Sequence, residues 1–85
     1  MKLDATEMTP VINRIKRAQG QLAGVLRMLE EGRDCEDVVT QLAAVSRALD
    51  RAGFAIIASG LQQCLAEGAD SPDVKKMERL FLSLA

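Results

Sequence analysis

From Val38 to Ala66 the chain runs for 29 residues with three charged side chains, Arg47, Asp50 and Arg51. Its apolar positions fall into two stripes at helical spacing. One is Cys35, Val38, Leu42, Val45, Leu49, Ala52 and Ile56; the other is Phe54, Ile57, Leu61 and Cys64. A helix that is apolar on several sides must be covered on several sides. A chain of 85 residues has little else to cover it with, and a lone domain of that size is marginal without help. The stretch predicts a long helix at a subunit interface.

Two more helices are legible around it. The first starts at Thr9-Pro10, where Thr caps and Pro suits the first helical position. Its apolar residues Val11, Ile15, Ala18, Leu22, Val25 and Leu29 alternate in steps of four and three, a heptad seam. Gly20 and Gly24 interrupt good helix formers and mark candidate close helix contacts, and Gly32 is the stop. The second helix starts at Asp34, with Asp37 placed to close a capping box, and ends at Gly68. Ser71-Pro72-Asp73 then opens a third helix with the stripe Val74, Met77, Phe81 and Leu84. The expectation is an all-α fold, three helices per chain in one domain over residues 1–85. Only 2% of residues are aromatic against 48% hydrophobic, which suits helices packed through Leu, Ala, Val and Ile. No apolar run reaches the roughly 20 residues that span a bilayer. Met1-Lys2-Leu3-Asp4 lacks the apolar core of a signal peptide. The expected location is the cytoplasm, with no membrane partner.

A formal net charge of −1 argues by itself against a nucleic-acid binder, but the charges are unevenly spread. Residues 10–29 carry Arg14, Lys16, Arg17 and Arg27 and no acid. Residues 30–37 carry Glu30, Glu31, Asp34, Glu36 and Asp37 against Arg33. A neutral total hides a basic segment.

Cys35 and Cys64 are 29 residues apart. On one continuous helix that is about 43 Å, so the two thiols of one chain cannot touch. An antiparallel second copy, with its two-fold axis near Leu49 and Asp50, sets Cys35 of one chain beside Cys64 of the other and creates two identical dithiol sites. Cys35 falls in a first helical turn, where free N–H groups favour a thiolate, although Asp34, Glu36 and Asp37 oppose that. Cys64 sits late in the helix on an apolar stripe, where a thiol is less reactive. The alternative is that both are small buried hydrophobes.

The stretch Arg14-Ile15-Lys16-Arg17-Ala18-Gln19-Gly20-Gln21-Leu22-Ala23-Gly24 resembles the opening helix of the copper-sensitive operon repressor (CsoR) family. So do Cys35-Glu36-Asp37-Val38-Val39-Thr40-Gln41-Leu42-Ala43-Ala44-Val45 and Ala48-Leu49-Asp50-Arg51. The resemblance covers nearly the whole chain. It implies a cytoplasmic DNA-binding repressor built as an antiparallel helical-bundle dimer, paired into a flat dimer-of-dimers tetramer, that leaves operator DNA when an inducer binds. The family's copper site uses Cys, His and Cys. Cys35 and Cys64 match the cysteines, Gly60 stands at the His position, and the chain has no His. That argues against nickel or cobalt sensing, and Lys2 argues against the formaldehyde-sensing branch, which uses an N-terminal proline. The branch that keeps both cysteines without the His, the CstR type, resembles this chain best. It implies that the inducer is a persulfide or polysulfide read through an intersubunit Cys35–Cys64 pair, with no cofactor required. Copper(I) held by the two thiolates is the alternative.

For DNA, the resemblance implies contacts from Arg14, Lys16, Arg17, Arg47 and Arg51, with Gln19 and Gln21 as polar candidates nearby. The competing view of each cation is an ordinary solvated charge; four subunits multiply the patch. Two other classes remain. A dithiol redox enzyme lacks a CxxC motif and a nearby general base. A purely structural oligomer leaves the acid-free segment 10–29 unexplained.

Overall fold

The computed structural model describes residues 2–68 and 72–85. Three helices follow one another: α1 over Thr9–Glu30, α2 over Cys35–Glu67 and α3 over Pro72–Leu84.

The chain enters α1 already wound. Asp4 Oδ1 accepts the Thr6 N–H at 2.8 Å, and the Asp4 carbonyl accepts the Met8 N–H at 3.1 Å. The Thr6 backbone N–H holds the Asp4 carboxyl below its ordinary pKa. Met8 therefore occupies the N-cap position, and Thr9 is already helical. Thr9 does not cap, contrary to the sequence expectation: its hydroxyl donates to the Thr6 carbonyl at 3.1 Å instead. At the far end Gly32 stops the helix as expected. Its φ of 69° is left-handed. The Arg33 N–H reaches the Met28 carbonyl at 3.0 Å and the Gly32 N–H the Leu29 carbonyl at 3.3 Å, the paired bonds of a Schellman ending.

Asp34 is the N-cap residue of α2, with extended backbone at φ −57° and ψ 138°, but its side chain makes no capping bond. The capping box with Asp37 does not form either; aspartate is one carbon shorter than the glutamate that usually reaches back. Gly68 ends α2. Ser71, expected as the cap of α3, lies outside the described residues.

α1 runs back antiparallel along α2. Met8 and Val11 pack on Ala52, with Ala55 and Ile56 beside them. Val25 packs on Val38 and Val45, with Met28 beside them. The buried positions Val11, Ala18 and Val25 of α1, and Val38, Val45 and Ala52 of α2, are each seven apart. Every second seam residue thus faces the hairpin partner. Of the others, Ile15, Leu22 and Leu29 on α1 and Leu42 and Leu49 on α2 are exposed, while Ile56 is half-buried. α3 packs on the second stripe of α2 and not on α1. There Ile57, Cys64 and Met77 form a buried cluster, with Val74 against it.

The molecule measures 53 × 26 × 13 Å. A helix with its side chains is about 10–12 Å across, so the chain is a single layer of helices lying side by side. Leu26 and Leu29 are 59% and 61% exposed. Gly20 and Gly24, expected to mark close contacts, have nothing within 4 Å of an added Cβ. A close contact stands at Gly53 instead, where a Cβ would lie 2.8 Å from Leu84 Cδ1. Among the described residues no helix is long and apolar enough to cross a membrane.

Candidate functional site: two thiols and a basic depression

The two cysteines occupy contrasting places. Cys35 is the first residue of α2 and is exposed. Its helix end is strongly acidic, with Glu36 and Asp37 in the first turn. Cys64, three residues before the end of the same helix, is 0% exposed. α2 is continuous between them, which keeps the thiols about 43 Å apart at 1.5 Å per residue.

Sequence periodicity puts Cys64 on an apolar stripe, and the structure shows what lies on that stripe. Met77 of α3 shares the buried cluster of Cys64 and Ile57, and Val74 of α3 packs against that cluster. Two further contacts hold α3 down. The rings of Phe54 and Phe81 are 5.5 Å apart, and Leu84 lies over the bare backbone of Gly53. No direct signal in the sequence says that residue 77 meets residue 64, because the pairing depends on how α3 folds back after Gly68.

The donor set has a clear chemical character. Thiolate and thioether sulfur select soft cations such as copper(I), whereas carboxylate and imidazole suit harder ones. The chain has no His, and position 60, one turn before Cys64, is a buried Gly. Among the described residues no group of three or more His, Cys, Asp and Glu could hold a metal within one chain. Soft sulfur lies at Cys35 at one end of α2 and at Cys64, with Met77 in the same buried cluster, at the other, while Met8 and Met28 lie in separate clusters; setting both thiolates on one copper(I) requires two chains.

The expected DNA-contacting residues separate into two groups. Arg14 and Arg17 from α1 and Arg51 from α2 converge around Ala48 on a shallow depression of about 280 Å³. Positions 14 and 17 are one turn apart on α1, and the antiparallel hairpin brings residue 51 alongside. Among the described residues no carboxylate pairs with any of the three; the ion pair that does form is Lys76–Asp73 at 3.7 Å, on α3. Lys16 and Arg47 do not join them. Lys16 lines an apolar groove with Leu3, Ile12 and Ile15, and Arg47 is exposed on α2 outside the depression. Gln19 borders a second apolar groove with Leu22, Leu26 and Leu29. Gln21 turns inward, its Oε1 buried with no hydrogen-bond partner. Three unneutralised guanidinium groups converging without a carboxylate are suited to phosphate oxygens.

The family model described as metal-sensitive transcriptional repressor matches residues 7–83. The copper-sensing transcriptional repressor CsoR of Mycobacterium ulcerans is 42% identical over 55 residues, which are 65% of this chain and 47% of that protein. This chain thus matches about half the length of that relative. The copper-sensing transcriptional repressor RicR of Mycobacterium tuberculosis is 38% identical over 69 residues, covering 76% of this chain and 72% of that one. CsoR of Bacillus subtilis, also a copper-sensing repressor, is 31% identical over 67 residues, 79% of this chain and 66% of its own.

Proposed function

The chain belongs to the metal-sensitive transcriptional repressor family, and we propose that it is a copper(I)-responsive repressor whose Cys35 and Cys64 take up the ion across a subunit interface. The observation that carries this reading is the placement of the two thiols at opposite ends of one continuous helix. Two α2 helices paired antiparallel about Leu49 bring each Cys35 to the other chain's Cys64. The exposed seam residues Ile15, Leu22, Leu29, Leu42 and Leu49 supply the apolar face for that pairing, and a layer only 13 Å thick needs a second layer to make a core. Two such dimers side by side give the flat tetramer. The protein works in the cytoplasm as a repressor and not as an enzyme.

Copper(I) is favoured by the soft donors and by the copper-sensing relatives. Each thiol loses a proton on binding. Arg14, Arg17 and Arg51 hold operator DNA by its phosphates, and with several copies per oligomer they offset the chain's formal charge of −1. Lys16 and Arg47 lie outside the depression and add weaker, peripheral attraction. Inducer and DNA oppose each other because they stabilise different arrangements of the same helices.

A second reading has an observation of its own. Without His, and with Gly at position 60, the pair also suits reactive sulfur. The Cys35 thiolate attacks the outer sulfur of an organic persulfide, taking it up as a Cys35 persulfide and expelling the organic thiolate; the Cys64 thiolate of the other chain then attacks the inner sulfur, forming a disulfide and expelling hydrosulfide. No cofactor enters that chemistry. The two readings separate on one titration: protein bound to a duplex selected from a random-sequence pool, exposed anaerobically to copper(I) or to an organic persulfide, with DNA release followed by fluorescence anisotropy. One copper(I) per chain should release the DNA. Release by persulfide with no response to copper(I) replaces the first reading by the second.

A further inference from the structure

Among the described residues, Met77 stands in the one buried cluster that contains a cysteine. It belongs to α3, Cys64 belongs to α2, and Ile57 completes the group. Met77 is 4% exposed and Cys64 is 0% exposed. The other described methionines are placed elsewhere: Met8 against Val11 and Ala52, and Met28 against Val25. A thioether is therefore the second sulfur at the cysteine end where water is excluded.

That setting constrains what kind of third donor a copper(I) ion could use there. Two thiolates already make the site net negative, and each extra charge in an apolar cluster costs heavily in desolvation. A neutral, polarisable thioether adds a soft donor and no charge. The apolar members of its cluster, Ile57 and Val74, carry no donor atom.

We propose that Met77 is a copper(I) ligand, its thioether completing a three-sulfur site with the Cys64 thiolate of its own chain and the Cys35 thiolate of a second chain. The inference rests on the copper(I) reading above and adds a residue to it. Uptake releases two protons, one from each thiol, and none from Met77; copper stays in its +1 state. Because Met77 rides on α3 and Cys64 on α2, an ion held by both ties the two helices together, so the metal state is felt by the position of α3.

The test uses the full chain, reduced and kept free of oxygen. Copper(I) affinity is measured by competition with a chromophoric copper(I) chelator, and the sulfur count by X-ray absorption. Met77→Leu keeps nearly the same volume and apolarity. It should bind copper(I) about tenfold more weakly, the scale of loss when a supporting group is taken from a metal site. Its sulfur count should drop from three to two while two protons are still released. Met28→Leu should match the unmodified chain. A measurement without any variant guards against misfolding: selenomethionine-labelled protein should show a copper–selenium distance. Unchanged affinity and sulfur count in Met77→Leu, or no copper–selenium scattering in the labelled protein, overturns the role of Met77 and leaves the two-thiolate site standing. A chain that binds no copper(I) at all overturns both.

Discussion

The rings of Phe54 on α2 and Phe81 on α3 lie with centroids 5.5 Å apart and planes tilted by 51°. Together with Leu84 over Gly53, this pair fastens α3 across the cluster that encloses Cys64. The contact is a modest one, because Phe81 is still 48% exposed. Access to the buried thiol is thus set by how often a 13-residue helix lifts from its neighbour.

Phe81→Ala should make that lifting more frequent. Losing a tilted aromatic pair and its burial costs about 1–2 kcal/mol, roughly a tenfold gain in the open population. Alkylation by iodoacetamide, read residue by residue by mass spectrometry, should therefore speed up about tenfold at Cys64. Cys64 in the denatured chain, alkylated under the same conditions, serves as the reference for its intrinsic reactivity. An unaltered ratio of the two rates means that α3 is not the barrier.

Leu49→Glu should separate the subunits. Leu49 lies exposed near the middle of α2, where the proposed two-fold axis sets it beside its own copy. The substitution removes apolar burial from both chains and opposes two carboxylates, weakening the dimer by about a hundredfold. Sedimentation of the variant should show a shift to monomer at micromolar concentration. A stable, folded monomer of the unmodified chain at that concentration contradicts the assembly.

Arg14→Ala, Arg17→Ala and Arg51→Ala should each weaken DNA binding and flatten its dependence on salt, by about 0.9 in the log–log slope for each phosphate that is no longer neutralised. Lys16→Ala and Arg47→Ala should have smaller effects, because neither residue lines the depression. The fold should persist in all five, since exposed charges contribute little to stability. If the triple arginine variant binds as before, the depression is not the DNA surface.

The helices, their order and the separation of the thiols were legible in the sequence because they follow from local rules. Heptad spacing marked the seam from Val11 to Leu29, and Gly32 and Gly68 marked the ends of α1 and α2. Which seam residues face inward was not legible: Val11 and Ile15 look equivalent in sequence, yet Val11 is buried against α2 and Ile15 is exposed. The start of α1 at Thr9-Pro10 was legible, but the capping role of Thr9 was not, because a turn already formed from Asp4 to Met8 leaves Thr9 inside the helix. Gly20 and Gly24 drew attention because they interrupt good helix formers, while a close approach lies at Gly53, fixed by a contact 31 residues along the chain. The basic segment was visible, but the separation of the five expected DNA-contacting cations into a convergent Arg14, Arg17 and Arg51 and an outlying Lys16 and Arg47 needed the α1–α2 hairpin. Both Cys64 under α3 and its neighbour Met77 depend on how α3 folds back, which no periodicity encodes.

The central claim is that Cys35 of one chain acts with Cys64 of another, and subunit mixing tests it most directly. Cys35→Ser and Cys64→Ser chains, each alone, lack one half of every site and should bind no tight copper(I). A heterodimer of the two, isolated through different affinity tags, has one site with both cysteines and one with neither, because the two-fold axis exchanges them. It should recover tight copper(I) binding at about half the capacity of the unmodified dimer. A heterodimer that binds no more copper(I) than its parents, while the unmodified dimer binds fully, contradicts the intersubunit pair.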